Sequence, residues 1–379
     1  MANISDRQLH LVSFDIPYPA NYGGAIDIFY KLESLKKQGI KVHLHCYQYD
    51  RSPNVILDNL CESVHYYKRD LSLMHLFSPL PFIVKTRSNV SLLEVLSRDN
   101  YPILYEGLHS CATLSDASLS ERRKIVRTHN VEHEYYKSLG DVEKNPFKRQ
   151  YFYREAAKLE KYENVLTHAK GVAAISIKDK SHLLAKFPGV EIETVSAFHP
   201  FNKVNIMPGR GEFALYHGSL EVGENNKAAL FLIREIFNKL DIPLKIAGNK
   251  PSRELIATAS QYRNVELISD VSTDKIYELI RAAHVNVLPT FQATGIKLKL
   301  LAALFTGRHC LVNQPMVDKT GLESLCHVGN SPEEMQAQVL RLLGKDFTTE
   351  EIEQRTAVLE SGFFSNAYNV EKLGALLFD

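Results

Sequence analysis

The apolar run Leu9 to Phe14 leads into a stretch rich in proline and glycine (Pro17, Pro19, Gly23, Gly24), and an amphipathic segment from Ala25 to Gln38 follows. That order predicts strand, loop, helix. Gly39 supplies a helix stop, and Lys41 to Cys46 alternates as a strand does, so the opening reads as a right-handed βαβ unit. Short β-like runs recur at Ser63 to Tyr67, Ile103 to Tyr105, Lys124 to Thr128 and Val172 to Ser176. Helical spacing fills the intervals, most clearly from Arg149 to His168, where Phe152, Ala156, Leu159 and Tyr162 fall near the helical period. Strands alternating with helices predict a mostly parallel sheet covered on both faces.

A second cycle starts after Phe198-His199-Pro200-Phe201 and the polar linker Asn202 to Gly211. Strands are predicted at Phe213 to His217, Pro243 to Ala247, Val265 to Ser269, Val285 to Pro289 and His309 to Asn313. Helices are predicted at Asn225 to Leu240, Arg253 to Gln261, Thr273 to Ala283 and Gly295 to Phe305. The fold class expected is therefore α/β, with two facing doubly wound Rossmann-like domains, 1–200 and 201–365, and ligands in a cleft at the carboxyl ends of their strands. A last apolar helix within 366–379 docks on one of them, and the pattern leaves open which.

Composition narrows the function. The 379 residues include 45 Lys plus Arg against 44 Asp plus Glu, a net charge of +1, so no global field favours nucleic acid. Any anion must be bound locally. The five cysteines (Cys46, Cys61, Cys111, Cys310, Cys326) are widely spaced and odd in number, which fits reduced thiols in a cytoplasmic protein. The first residues lack the basic start and apolar core of a secretory signal, and no run of about 18 apolar residues occurs. A cytoplasmic location is the expectation, with peripheral contact at the inner membrane face allowed.

Three places carry candidate chemistry. Gly23-Gly24 follows the first strand and opens a helix, where free amides and the helix dipole favour an anion; an ordinary turn is the competing reading, and G-x-G-x-x-G is absent. Thr290 to Lys299 follows an apolar strand and runs into an apolar helix, with Lys297 in its first turn. A cation there costs roughly 0.3 to 1 kcal/mol unless an anion sits beside it. A bound diphosphate would remove that conflict, and lysines snorkelling from a core helix are the alternative. The third place is the strand end Arg127-Thr128-His129-Asn130-Val131-Glu132-His133-Glu134, where His129 and Glu132 stand out and His133 reads as a solvated neighbour. His129 and His133 make no zinc motif without a third ligand on the same face.

Taken in order, these landmarks resemble the retaining glycosyltransferases of family four (glycosyl transferases group 1), which have the GT-B fold. They are Pro17-Tyr18-Pro19-Ala20-Asn21-Tyr22-Gly23-Gly24, Thr128-His129-Asn130, Ala174-Ile175-Ser176 with Asp179, Tyr216-His217-Gly218-Ser219-Leu220 with Asn226, Ile246-Ala247-Gly248, and Leu288-Pro289 leading to Gly295-Ile296-Lys297-Leu298-Lys299. The resemblance spans nearly the whole chain. It implies that Gly23 and Gly24 lie against the donor diphosphate and that His129 approaches the transferred sugar. The second domain then contributes Gly218, Ser219, Lys227, Gly248, Thr294, Gly295, Ile296 and Lys299 to the donor site, and Asn130 and Glu132 lie on the acceptor side. The family signature Glu-x7-Glu falls on Thr294 and Ala302, so both glutamates are missing. Losing the second, which holds the ribose, forfeits about 1.5 to 3 kcal/mol of donor binding. A variant signature, Gly-Ile-Lys-Leu-Lys, accounts for Thr294 but not for Ala302; either Glu323 or another group holds the ribose, donor affinity is weak, or catalysis is lost.

By that resemblance the reaction moves a sugar from a nucleotide-diphosphate donor to an acceptor hydroxyl with retention, through front-face attack. Lys297, the Gly295 helix end and the glycine amides meet the charge on the leaving phosphate. No metal and no cofactor is implied. The acceptor is a glycan or a lipid-linked precursor of a cell-surface polysaccharide, and the apolar stretch Leu73 to Val84 and the basic aromatic patch Phe147 to Arg154 suit a membrane interface. The alternatives are a catalytically impaired sugar-nucleotide-binding subunit and an epimerase or hydrolase on the same scaffold.

Overall fold

The computed structural model describes residues 7–291 and 297–379. The chain divides into two compact units, Met1–Pro200 together with Asn366–Asp379, and Phe201–Ser365. Each is built on one parallel sheet.

In the first unit the strands are β1 (Gln8–Ser13), β2 (Lys41–Gln48), β3 (Ser63–Lys68), β4 (Ile103–Glu106), β5 (Lys124–Arg127), β6 (Gly171–Ala174) and β7 (Glu191–Thr194), in the order β3-β2-β1-β4-β5-β6-β7. Every neighbouring pair is parallel; His10 sits beside His43 on one side and Ile103 on the other. The inner strands β4, β5 and β6 are buried along their whole length, which explains why they are apolar except for charged residues at the ends of β4 and β5. Edge strand β7, polar at Glu191, Glu193 and Thr194, carries no such run and escapes the pattern. The helix Gly23–Lys37 covers one face through Ile28, Leu32 and Leu35, and the final helix Asn366–Phe378 joins the same core with Val370, Leu373, Leu376 and Leu377. Asn369 accepts the Ser196 amide at 2.8 Å, and Asn366 binds both the amide and the carbonyl of His199. The last helix therefore belongs to the first unit.

The second unit has β8 (Ala214–His217), β9 (Leu244–Ala247), β10 (Val265–Ile268), β11 (Val285–Leu288), β12 (His309–Val312) and the short β13 (His327–Val328), in the order β10-β9-β8-β11-β12-β13. The helix expected from Asn225 to Leu240 starts earlier, at Gly223, and stays α-helical only to Phe231. A π turn (Leu232–Ile236) and a 3-10 turn (Phe237–Lys239) finish it. The helix expected from Gly295 is described as Leu298–Thr306, buried from Leu300 onward. Lys297 is its N-cap residue rather than part of its first turn, because its backbone is extended (φ −78°, ψ 116°).

Candidate active site

In the first unit, β1, β4 and β5 end side by side, and the residues that follow them converge with the helix Gly23–Lys37. That helix opens without a side-chain cap among the described residues, so its first amides remain available to an anion. Gly24 sits close against Phe14: a Cβ there would stand 2.6 Å from the tip of the ring, which would have to shift. Gly23 is exposed and Gly24 half-buried.

Behind this turn lies a buried charge network that the sequence pattern did not reveal. Asp27 and Lys31, one helical turn apart on the core face, pair at 3.0 Å, and Lys31 Nζ also donates to Glu106 at 2.7 Å. Arg127 donates to Asp27 at 3.2 Å, and the Phe198 amide reaches the same carboxylate at 2.7 Å. Burial pushes the Asp27 carboxyl upward, but Arg127, Lys31 and His129 outweigh it and hold it well below the usual range. Glu106 is lowered too, because Lys31 and His129 overcome its burial. The available signal was charge on an apolar face: Asp27 and Lys31 interrupt Ile28, Leu32 and Leu35, while Glu106 and Arg127 close apolar strands.

His129 rests on this network. Its Nε2–H donates to Glu106 at 2.9 Å, and the Phe14 ring meets it edge-on at 5.3 Å. Nδ1 lies 3.8 Å from Asp27, beyond hydrogen-bond range. The Phe14 ring also packs, tilted, against His109 at 5.1 Å, and His109 Nδ1 is 3.9 Å from Glu132. Glu132 is buried rather than solvated; burial, then the negative charge of Glu163, pushes its carboxyl up to about 8. Asn130 stands half-buried between His129 and Glu132. His133 points to Glu163 instead of to solvent.

In the second unit, β8 and β11 end beside the helix Gly223–Phe231. Glu224, in that helix's first turn, accepts a hydrogen bond from the Thr290 hydroxyl and lies 3.8 Å from Lys297 Nζ. Lys299 donates to Asn225 at 2.8 Å, approaches the Tyr216 hydroxyl at 3.4 Å and lies 5.1 Å from its ring centre. Burial pulls the Lys299 ammonium down to about 8; Glu224 opposes that and Lys297 adds to it. Lys297 is lowered by burial against the pull of Glu224. Lys227 sits 4.8 Å over the Phe291 ring. Gly218 and Gly248 let two strand ends touch, since a Cβ on Gly248 would lie 1.9 Å from the Gly218 carbonyl oxygen. Ser219 accepts from the Asn225 side chain at 2.9 Å. Glu224 was missed in the sequence because nothing in its local pattern marks its partners on another strand.

Thr294, Gly295 and Ile296 lie outside the described residues. Ala302 is buried in the apolar core of its helix. Glu323 accepts the Thr320 amide at 3.2 Å and so closes its own turn.

No protein-family model matches the sequence. Over 312 residues, 78% of this chain and 79% of the relative, it is 27% identical to an uncharacterized 44.6 kDa protein in the cps region of Klebsiella pneumoniae. Among solved structures it is similar to a mutant of S. aureus TarM in complex with fondaparinux, alpha-GlcNAc-glycerol and UDP. The TM-score is 0.68 at 14% identity, covering 98% of this chain and 100% of that one. A structure reported as trehalose-6-phosphate from E. coli bound with UDP-2-fluoro glucose matches at TM-score 0.66 and 10% identity, over 98% of this chain and 99% of that one. The fold is that of the GT-B glycosyltransferases: two α/β domains, each on a parallel sheet, of seven and six strands.

Proposed function

We propose that the chain is a glycosyltransferase that moves a sugar from a nucleotide-diphosphate donor to an acceptor hydroxyl, with retention, in the synthesis of a cell-surface polysaccharide. The observation that carries this reading is the pair of lysines beside Glu224. Burial lowers the pKa of Lys297, and that of Lys299 to about 8, and an arriving diphosphate favours the charged form of both. The GT-B fold and the cps-region relative point the same way.

Lys297 and Lys299 take the diphosphate and stabilise the charge that grows on it as the anomeric bond breaks. In the first unit the Gly23-Gly24 amides offer uncharged donors to an anion. His129, held by Glu106, offers Nδ1 to a hydroxyl of the transferred sugar. The departing phosphate oxygen takes the acceptor proton, so neither a protein base nor a metal ion is needed for transfer. A lipid-linked acceptor at a membrane surface suits the side chains of Leu73, Met74, Phe77 and Phe147, which are 74%, 73%, 85% and 86% exposed.

Ala302 favours one second reading, a subunit that binds sugar nucleotides without transfer, because its methyl group offers the ribose nothing. Incubation of the purified protein with a panel of UDP-, GDP- and ADP-sugars and lipid-linked acceptors tests both, with product anomers read by NMR. Transfer with retained configuration supports the first reading. Binding without turnover supports the second. Inverted product would remove retention from the account.

A further inference from the structure

We propose that His133, Glu163 and His182 form a binding site for one divalent transition-metal ion, with Zn2+ the best match, inside the first unit. The three residues come from different elements. His133 lies in the first turn of the helix Glu132–Val142, Glu163 begins the 3-10 turn Glu163–His168, and His182 lies in the helix Ile177–Lys186. One ligand atom from each falls within 4.8 Å of the other two. His133 Nδ1 stands 3.7 Å from Glu163 Oε1, and His182 Nε2 stands 3.6 Å from Oε2.

These spacings are too long for hydrogen bonds. Both ring nitrogens are buried and have no hydrogen-bond partner among the described residues. Two imidazole lone pairs and one carboxylate thus converge without closing on each other, an arrangement that is costly when empty. Zinc bonds of about 2.0 to 2.2 Å place neighbouring tetrahedral ligands about 3.3 to 3.6 Å apart, so an ion fits once the three side chains, whose ligand atoms lie within 4.8 Å of one another, draw together around it. Two imidazoles and one carboxylate form a ligand set that zinc accepts with an open fourth position.

Charge is consistent with a bound cation. Lys186 Nζ donates to Glu163 Oε2 at 2.6 Å and also approaches the Glu160 carbonyl at 3.2 Å, which keeps the Glu163 carboxylate charged beside the two imidazoles. Asp179, one turn before His182 on the same helix, buries a carboxylate oxygen that has no hydrogen-bond partner among the described residues. It supplies a second negative charge close to the cluster. In two other triads the ligand atoms are taken up: Lys31 and Arg127 together hold Asp27 and Glu106 beside His129, and Arg341 faces His327 Nδ1 at 3.1 Å beside His309 and Glu351. The ion proposed here is structural. It ties the helix that follows Asn130 to the helix Ile177–Lys186 and takes no part in sugar transfer.

The full-length protein, stripped with a chelator and desalted, is titrated with Co2+ and with Zn2+ alone. One Co2+ per chain is expected, with the visible ligand-field bands of a tetrahedral site, displaced by Zn2+. His133→Ala and His182→Ala, both at partly exposed positions and checked for folding by circular dichroism, should each weaken Zn2+ binding by at least about tenfold. His327→Ala, in the other histidine cluster, should leave it unchanged. Absence of stoichiometric binding by the native protein overturns the proposal. So does binding that survives both His133→Ala and His182→Ala, or that falls equally in His327→Ala.

Discussion

Lys31 Nζ lies 2.7 Å from Glu106 Oε1 with both side chains fully buried, and through Glu106 it supports the ring of His129. Taking these charges out of water is expensive, and only the mutual pairing of Asp27, Glu106, Lys31 and Arg127 offsets that cost. Removing one member leaves an unmatched charge in the interior. Lys31→Met should therefore cost about 3 to 5 kcal/mol in urea unfolding. Lys31→Met with Glu106→Gln should cost less than the sum of the two single changes, by about 0.5 to 3 kcal/mol. Simple additivity would mean that the pair is not coupled.

If Lys299 binds the donor diphosphate as proposed, donor binding should depend on pH. Its ammonium, pulled down to about 8, is protonated at neutral pH and neutral above it, whereas a bound diphosphate favours the charged form. UDP affinity should fall as pH rises through about 8, and binding near that pH should take up protons, seen by calorimetry in buffers of different ionisation enthalpy. Lys299→Arg should flatten the profile, since guanidinium stays charged. An unchanged profile in Lys299→Arg would assign the titration to another group.

His217 sits at the end of β8, fully buried, and burial followed by the nearby Lys299 lowers its pKa to about 3. A folded-state pKa below the unfolded value of about 6.5 means that the unfolded chain binds the extra proton first. Stability is then present above pH 6.5 and is lost as pH falls towards 3. His217→Gln should remove up to about 1.4 kcal/mol per pH unit from the acid slope between pH 6 and 4. Denaturant midpoints across that range provide the check.

Phe77 and Phe147 expose most of their rings, and the segment that carries Phe77 is fastened to the helix Pro146–Tyr162. Lys158 holds the Leu76 carbonyl at 3.0 Å, and the Phe82 amide donates to Glu155 at 2.6 Å. Lys148 and Arg149 lie in the first turn of the same helix. Vesicles containing anionic lipid should pull down the native protein, and Phe77→Ser with Phe147→Ser should lose most of that binding while remaining folded. Equal sedimentation of both would remove the membrane from the account.

The sheets were largely legible in the sequence because parallel strands buried on both faces are mostly apolar, as in Ile103–Glu106 and Val285–Leu288, each with a single polar residue other than tyrosine. Edge strands were not: Glu191–Thr194 is half-polar and His327–Val328 spans two residues. His129 was singled out because it lies at an apolar strand's end, and Lys297 because it stands where a polar segment after a strand runs into an apolar helix. Their partners were hidden by distance along the chain, since Lys31 meets Glu106 across 75 positions and Arg127 meets Asp27 across 100. Only the topology brings them together. His133 was misread for the same reason, because its burial depends on Glu163 and His182 from later elements.

The most direct test of donor binding is thermal unfolding of the native protein and of Lys297→Ala in the presence of UDP, GDP and ADP. One of these nucleotides should stabilise the native protein saturably, and Lys297→Ala should shift the half-saturating concentration upward by at least about tenfold, the loss of one charged hydrogen bond. If no nucleoside diphosphate stabilises the native protein, the glycosyltransferase reading is contradicted.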